Sequence, residues 1–247
     1  MPGIARPAIA TVLPRTSQEY PMVLLDAGAN IDCNAHQLLQ FAMMGNFYSA
    51  YALSCKDPKI GLLSNGSEPS KGNDIIRAAS HSIAENDDLN FVGFIEGRDL
   101  ASDKVDVIVC DGFVGNVVLK TIEGSVSLVL EAIKSATKES FRSMIGMSLV
   151  KPMLKKLFRS KLDPSAYGGA PLLGLNDVAI VCHGHSKSKA IKNAIRVAKR
   201  IDVVQLIPNL SQALSALDHD LDDRYEETLW TGSDKSKEST SKPDSKK

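Results

Sequence analysis

A chain of 247 residues is long enough to bury a sizeable core, either as one large domain or as one domain with an appendage. Its 29 Lys and Arg balance 29 Asp and Glu, so no global charge bias points to nucleic acid. The four cysteines lack metal-ligand spacing, and no continuous apolar run approaches the roughly 18–20 residues of a membrane span. These features lead to the expectation of a soluble cytoplasmic chain with reduced thiols, no metal and no cofactor.

The first residues, Gly3 to Pro14, read like protein interior rather than a leader or a loose tail. Pro21 to Asp26 is a strand ending in a carboxylate, followed by Ala27-Gly28-Ala29-Asn30. Asp26 either contributes directly to a site or bonds the turn amides that follow it. From His36 to Leu53 apolar residues recur at helical spacing. Lys59 to Leu63 is a short strand, and its exit, Ser64 to Asn73, contains Lys71-Gly72-Asn73 before a helix over Asp74 to Glu85. Lys71 suits a cation that neutralises phosphate, though a solvated loop lysine has the same neighbours.

Asn90 to Ile95 and Val105 to Val109 are further strands. The second runs into Cys110-Asp111-Gly112-Phe113-Val114-Gly115-Asn116, read as a two-glycine turn before a helix opening near Val117. Such a turn aims backbone N–H groups and Asn116 at an anion, or needs its glycines only for backbone geometry. From Lys120 to Leu162 the pattern becomes long helix, interrupted around Gly146. Val150, Met153, Leu154, Leu157 and Phe158 form an apolar stripe, opposite Lys151, Lys155, Lys156 and Arg159. Eight Lys or Arg against Glu139 between Lys134 and Lys161 make this the basic part of a neutral chain. It is either a solvated face or a surface for anionic lipid or an acidic partner.

Val178 to Cys182 is the last strong strand, ahead of His183-Gly184-His185 and a helix over Lys189 to Arg200. His183 at a strand exit suits an acid, base or donor, or a satisfied structural histidine. From Gly232 the composition collapses to polar residues typical of disorder. Strands alternating with helices predict an α/β fold, a mostly parallel sheet with helices on both faces. The expected division is an α/β domain over 1–218 with a protruding helical hairpin at about 118–162, then a tail over 219–247. Four strand exits carrying Gly with Asn, Asp, Lys or His suggest one shared site.

In combination these strings resemble the bacterial phosphate acyltransferases of phospholipid synthesis. The matching segments are Leu25 to Asn30, Gly61 to Leu63 with Lys71 to Asn73, Glu96 to Asp99 and Cys110 to Asn116. Lys120 to Gly124, Tyr167 to Gly174 and His183-Gly184 with Ser186 complete the set. The resemblance covers about residues 3 to 200. It implies a fold akin to isocitrate and isopropylmalate dehydrogenases and to phosphotransacetylases, usually as a homodimer. The implied reaction moves a long acyl chain from acyl carrier protein to inorganic phosphate, giving acyl phosphate. Lys71 and Asn116 fall on positions regarded as active-site residues in that family, and its hairpin associates peripherally with the membrane at the inner face.

On this reading Lys71, Asn116 and His183 are catalytic, while Asp26, Gly28, Asn30, Gly72, Asn73, Asp111, Gly112 and Gly115 bind phosphate or substrate. Lys151, Lys155, Lys156, Arg159, Leu154 and Phe158 are the partner or membrane surface. Three departures stand out. The family's Asp-x-x-Gly-Gly-Asp type motif and a second glycine-rich loop precede the point where this sequence starts. Ser64 and Phe94 stand where the family usually has Asn, and the Lys-Ser tail is additional. A non-catalytic fragment or paralogue binding carrier protein or membrane, and a short-chain phosphotransacetylase using coenzyme A, are the alternative readings.

Overall fold

The computed structural model describes residues 1–13, 15, 20–138, 140–157 and 168–216, apart from the side chains at 101 and 155–157. Its centre is a five-stranded sheet built from β2 (Thr11–Leu13), β3 (Met22–Leu25), β4 (Ile60–Leu63), β5 (Phe91–Ile95) and β6 (Val107–Val109). The spatial order is β2-β3-β6-β4-β5. The last four strands run parallel, and β2 is antiparallel to β3 at one edge. Every residue of β3, β4 and β6 is buried, as a parallel sheet covered on both faces requires.

The pleat sends alternate side chains to opposite cores. Val23, Leu25, Val107 and Val109 join Leu38, Phe41, Ala42 and Met44 of helix α1 (Ala35–Phe47). Met22, Leu24, Ile108 and Cys110 face the other way, against Val118, Leu119 and Ile122 of α3 (Gly112–Lys138). Helix α1 starts at a capping box, in which Asn34 and Gln37 satisfy each other's backbone N–H groups. It continues into a π-helical turn at Tyr48–Ala52. Helix α2 (Asp74–Ala84) packs beside α1 and β5.

A second, three-stranded sheet holds β1 (Ala8–Ile9), β7 (Ala170–Leu173) and β8 (Ile180–Val181), all antiparallel. The expected fifth parallel strand at Val178–Cys182 is therefore corrected: two of its residues pair, and they pair with β7. Helix α5 (Ser188–Val203) and a helix over 206–216 follow. Leu206, Leu210 and Leu214 of the latter are buried in the α1-side core at helical spacing.

Helices α3 and α4 (Phe141–Leu157) form the anticipated hairpin. Helix α3 ends at Lys138 and α4 begins at Phe141, so Gly146 sits inside α4 rather than between helices. Beyond Ile122 the hairpin is largely exposed, with Leu128, Phe141, Leu149 and Met153 all well over half open to solvent. An 18-residue window of α3 reaches a mean hydropathy of 1.4, so by length and composition α3 meets the measure of a membrane span. The sequence expectation of no such segment is corrected to that extent. The tail over 219–247, Phe158 and Arg159 lie outside the described residues.

Close packing of α1 on the sheet depends on Gly45, where a Cβ would come within 2.4 Å of Val107 Cγ1. Gly45→Leu overpacks that contact and is expected to cost about 1–3 kcal/mol. Urea unfolding followed by circular dichroism checks this; an unchanged midpoint contradicts the packing described.

Candidate active site

Parallel strands deliver their carboxyl ends to one edge, where open α/β sheets take their ligands. The neighbouring exits here are those of β3, β6, β4 and β5, in that order. The first three are the exits expected to share a site. The fourth is the Glu96–Asp99 turn after β5, not the His183 loop after β8.

The β3 exit is organised by Asp26, which is fully buried. Its Oδ1 accepts from the N–H groups of Ile9 (3.0 Å), Gly28 (3.1 Å) and Ala29 (3.0 Å). Its Oδ2 accepts from Ala29 N–H (3.0 Å), Asn30 N–H (2.7 Å) and the Asn30 side-chain amide (2.8 Å). Of the two roles weighed for Asp26, the structure displays loop bonding; the assignment to substrate contact is corrected, because both oxygens face backbone amides. Asn30 is likewise held, its Nδ2 also donating to Pro7 O at 2.8 Å.

This loop positions the start of α3. The Asn30 carbonyl accepts from Gly112 N–H at 2.7 Å. A Cβ on Gly112 would lie 2.6 Å from Asn30 O, and one on Gly115 would lie 1.8 Å from Asp26 O. Both glycines are therefore required for close approach of helix and loop. Helix α3 begins at Gly112, five residues before the expected Val117. Asp111 caps it, its Oδ1 accepting from Val114 N–H at 2.8 Å, while its carbonyl accepts from Gly115 N–H at 2.9 Å. The amides of Gly112 and Gly115 are consequently committed within the fold, which corrects their assignment to an anion. What the turn presents outward is the exposed side chain of Asn116, one helical turn inside α3. Gly28, at φ +134°, backs it: a Cβ there would touch Asn116 Cβ at 3.4 Å.

The β4 exit is a polar loop folded on its own side chains. Asn65 Oδ1 accepts from Gly72 N–H at 2.9 Å and from Ser64 Oγ at 3.3 Å. Asn73 caps α2, accepting from Ile76 N–H at 2.9 Å. Arg77 donates to Gly72 O at 2.5 Å and pairs with Asp74. The Gly72 amide is thus spent on the loop, which corrects it as a direct phosphate contact, while Asn73 commits its side-chain oxygen to the α2 cap. Lys71 is different. Its stem lies over Gly66, where a Cβ would meet Lys71 Cγ at 2.6 Å, and no carboxylate among the described residues pairs with its ammonium. Asn65 and Arg77 were missed in the sequence, although the Asn65-Gly66 pair is a turn signal that pointed to the former.

At the β5 exit Asp99 bonds Glu96 N–H at 3.1 Å and pairs with Lys104 at 2.7 Å. The Lys104 ammonium beside it holds its carboxyl below the usual range. Phe94 is half-buried and packs against the α1-side core. Burial dominates the nearby thiols: Cys33 is pushed up to about 11, and Cys110 rises well above its ordinary value. Both remain protonated and take no nucleophilic part near neutrality. His183 belongs to the second sheet, where its ring lies 5.4 Å from that of His185 and its Nδ1 accepts from His185 N–H at 3.2 Å. Three of the four exits expected to share a site thus leave neighbouring strands of one sheet. Of the hairpin residues, Lys151 is exposed and Leu154 half-buried. Lys155 and Lys156 lie on α4 with side chains outside the described residues.

The model of the family described as "Fatty acid synthesis protein" matches residues 1–208. A "Phosphate acyltransferase" of Pelotomaculum thermopropionicum is 48% identical over 216 residues, spanning 87% of this chain and 62% of that protein. Another, from Thermodesulfovibrio yellowstonii, is 45% identical over 215 residues, 87% and 61% respectively. The chain therefore spans about three-fifths of the length of these relatives. A solved phosphotransacetylase from Streptococcus pyogenes aligns at TM-score 0.49 and 22% identity, over 81% of this chain and 56% of that one.

Replacing Asp26 by Asn removes a charge from a ring of donors whose charge-assisted bonds are worth roughly 1.5–3 kcal/mol each. The variant is expected to lose at least about 3 kcal/mol of stability, read by urea unfolding. A loss under about 0.5 kcal/mol contradicts its organising role.

Proposed function

This chain belongs to the family described as fatty acid synthesis protein, and from that premise we propose that it carries the phosphate acyltransferase reaction. The reaction takes a long-chain acyl thioester of acyl carrier protein and inorganic phosphate, and yields acyl phosphate for phospholipid synthesis. The observation that carries the reading is that adjacent strand exits carry Lys71, a cation with no carboxylate partner among the described residues, and Asn116, an exposed amide.

The chemistry asks little covalent help from the protein. A phosphate oxygen attacks the thioester carbonyl carbon, forming a C–O bond, and the C–S bond breaks. The electron pair leaves with sulfur, which takes a proton as the free carrier thiol. Lys71 neutralises phosphate and so lowers its repulsion from the carbonyl oxygen as that oxygen gains negative charge. Asn116, with Gly28 behind it, donates its side-chain N–H to that oxygen or to phosphate. Asp26, Asn65, Asp111 and Asn73 hold the loops on which these two side chains stand. His183 has no part in this scheme.

The hairpin supplies contacts with the surroundings. Its exposed apolar residues suit a second copy of the chain, and its cationic residues, Lys138, Arg142 and Lys151 among them, suit an anionic membrane face or an acidic carrier protein. The enzyme accordingly acts in the cytoplasm at the inner face of the membrane, as a homodimer.

Phosphate-dependent release of carrier thiol, followed with a thiol reagent, tests the assignment. Lys71→Ala and Asn116→Ala are each expected to lower it by about 10²-fold or more, with unfolding midpoints unchanged. Full turnover in both variants overturns it.

A further inference from the structure

We propose that Ile31, Phe113 and Val117 form the seat of the acyl chain next to the reacting carbonyl, and so determine which acyl donors are accepted. The inference rests on the acyltransferase reading and extends it to substrate recognition. Phe113, Asn116 and Val117 stand at i, i+3 and i+4 on α3, one face of the helix. Phe113 is 61% exposed, Val117 51% and Ile31 70%, large apolar surfaces left in water beside a polar loop. Ile31 follows Asn30, whose carbonyl holds Gly112 N–H at 2.7 Å, so it leaves its loop beside the first turn of α3.

The order of the exits sets a polar loop on one side against an exposed apolar side chain on the other. On the β4 side of β6 stand Asn65, Ser67, Glu68, Ser70 and Lys71; on the β3 side Ile31 stands exposed, followed by Asp32. Between them, α3 turns Asn116 outward, with Phe113 and Val117 beside it on one side of the helix. An acyl phosphate precursor has the same division: a charged nucleophile on one side of the carbonyl carbon and a hydrocarbon chain on the other. With phosphate at Lys71 and the carbonyl at Asn116, the first methylenes meet Phe113 and Val117. Further along the same face come Lys120, ion-paired with Glu123, and then Gly124, with open space beside it. Neither phosphate nor the polar arm of a carrier protein uses such a surface, whereas a hydrocarbon chain does.

The test photolabels the full 247-residue chain with a palmitoyl thioester of pantetheine carrying a diazirine in its alkyl chain, and maps the label by peptide mass spectrometry. Label is expected on peptides containing Ile31 and Phe113 to Val117. Phe113→Ser combined with Val117→Ser is expected to reduce it about tenfold, with the circular dichroism spectrum retained. Ile31→Ser, off the helix, is expected to reduce it independently of any effect on α3. Label confined to 125–157, absent because a second copy covers the patch, or undiminished in these variants overturns the proposal. Phosphate-dependent turnover, measured in parallel, separates the two readings. Labelled patch without turnover defeats the acyltransferase reading alone; turnover with label elsewhere defeats the acyl seat alone.

Discussion

One buried carboxylate sets the geometry on which the site depends. Asp26 has no solvent to hydrate its charge, so the charge is stabilised by backbone and side-chain N–H groups converging from Ile9, Gly28, Ala29 and Asn30. Those donors come from two segments, the end of β1 and the loop after β3. A third segment is joined through Asn30, whose carbonyl receives the first amide of α3, while Gly115 lets the helix approach the Asp26 carbonyl. The carboxylate thus ties the second sheet, the central sheet and the hairpin's long helix at a single point. An amide or an alkyl group in its place would leave several buried donors unpaired.

From that point the functional side chains are placed by consequence. Asn116 faces outward because Gly112 and Gly115 face inward on the same helix. Lys71 stands on the adjacent exit because β4 is the neighbour of β6 in the sheet. Its loop is held by Asn65, Asn73 and Arg77, which spend the Gly72 amide, the cap and the Gly72 carbonyl on local bonds. Lys71 and Asn116 are the side chains that the proposed reaction uses, with an apolar surface beside the amide.

Much of this was legible in the sequence, for identifiable reasons. Met22–Leu25, Ile60–Leu63 and Val107–Val109 are apolar at every position, which is what a strand covered on both faces needs. The hairpin's existence followed from helical spacing. Val178–Cys182 has the same apolar character, yet composition does not encode the partner or direction of pairing, and Ile180–Val181 joins β7 in another sheet. That is why His183 was grouped with exits it does not share. The glycines after Cys110 suit either a turn holding free amides or backbone geometry alone. Their reason is steric, a close approach between segments more than 80 residues apart, as Cys110 and Asp26 are. Asp111 as a cap was the available signal that the helix begins earlier. The roles of Asn65 and Arg77 depend on which way a loop folds back, which spacing alone does not encode.

The central claim is that the exits of β3, β6 and β4 make one anion site. Titrating inorganic phosphate into the isotopically labelled chain and following backbone amide shifts by NMR tests it most directly. The account predicts saturable shifts in Gly28–Ile31, Ser64–Asn73 and Phe113–Val117, sharing one dissociation constant, with His183–Ser186 unmoved. Shifts centred on His183–Ser186, or different dissociation constants at the three exits, would contradict it.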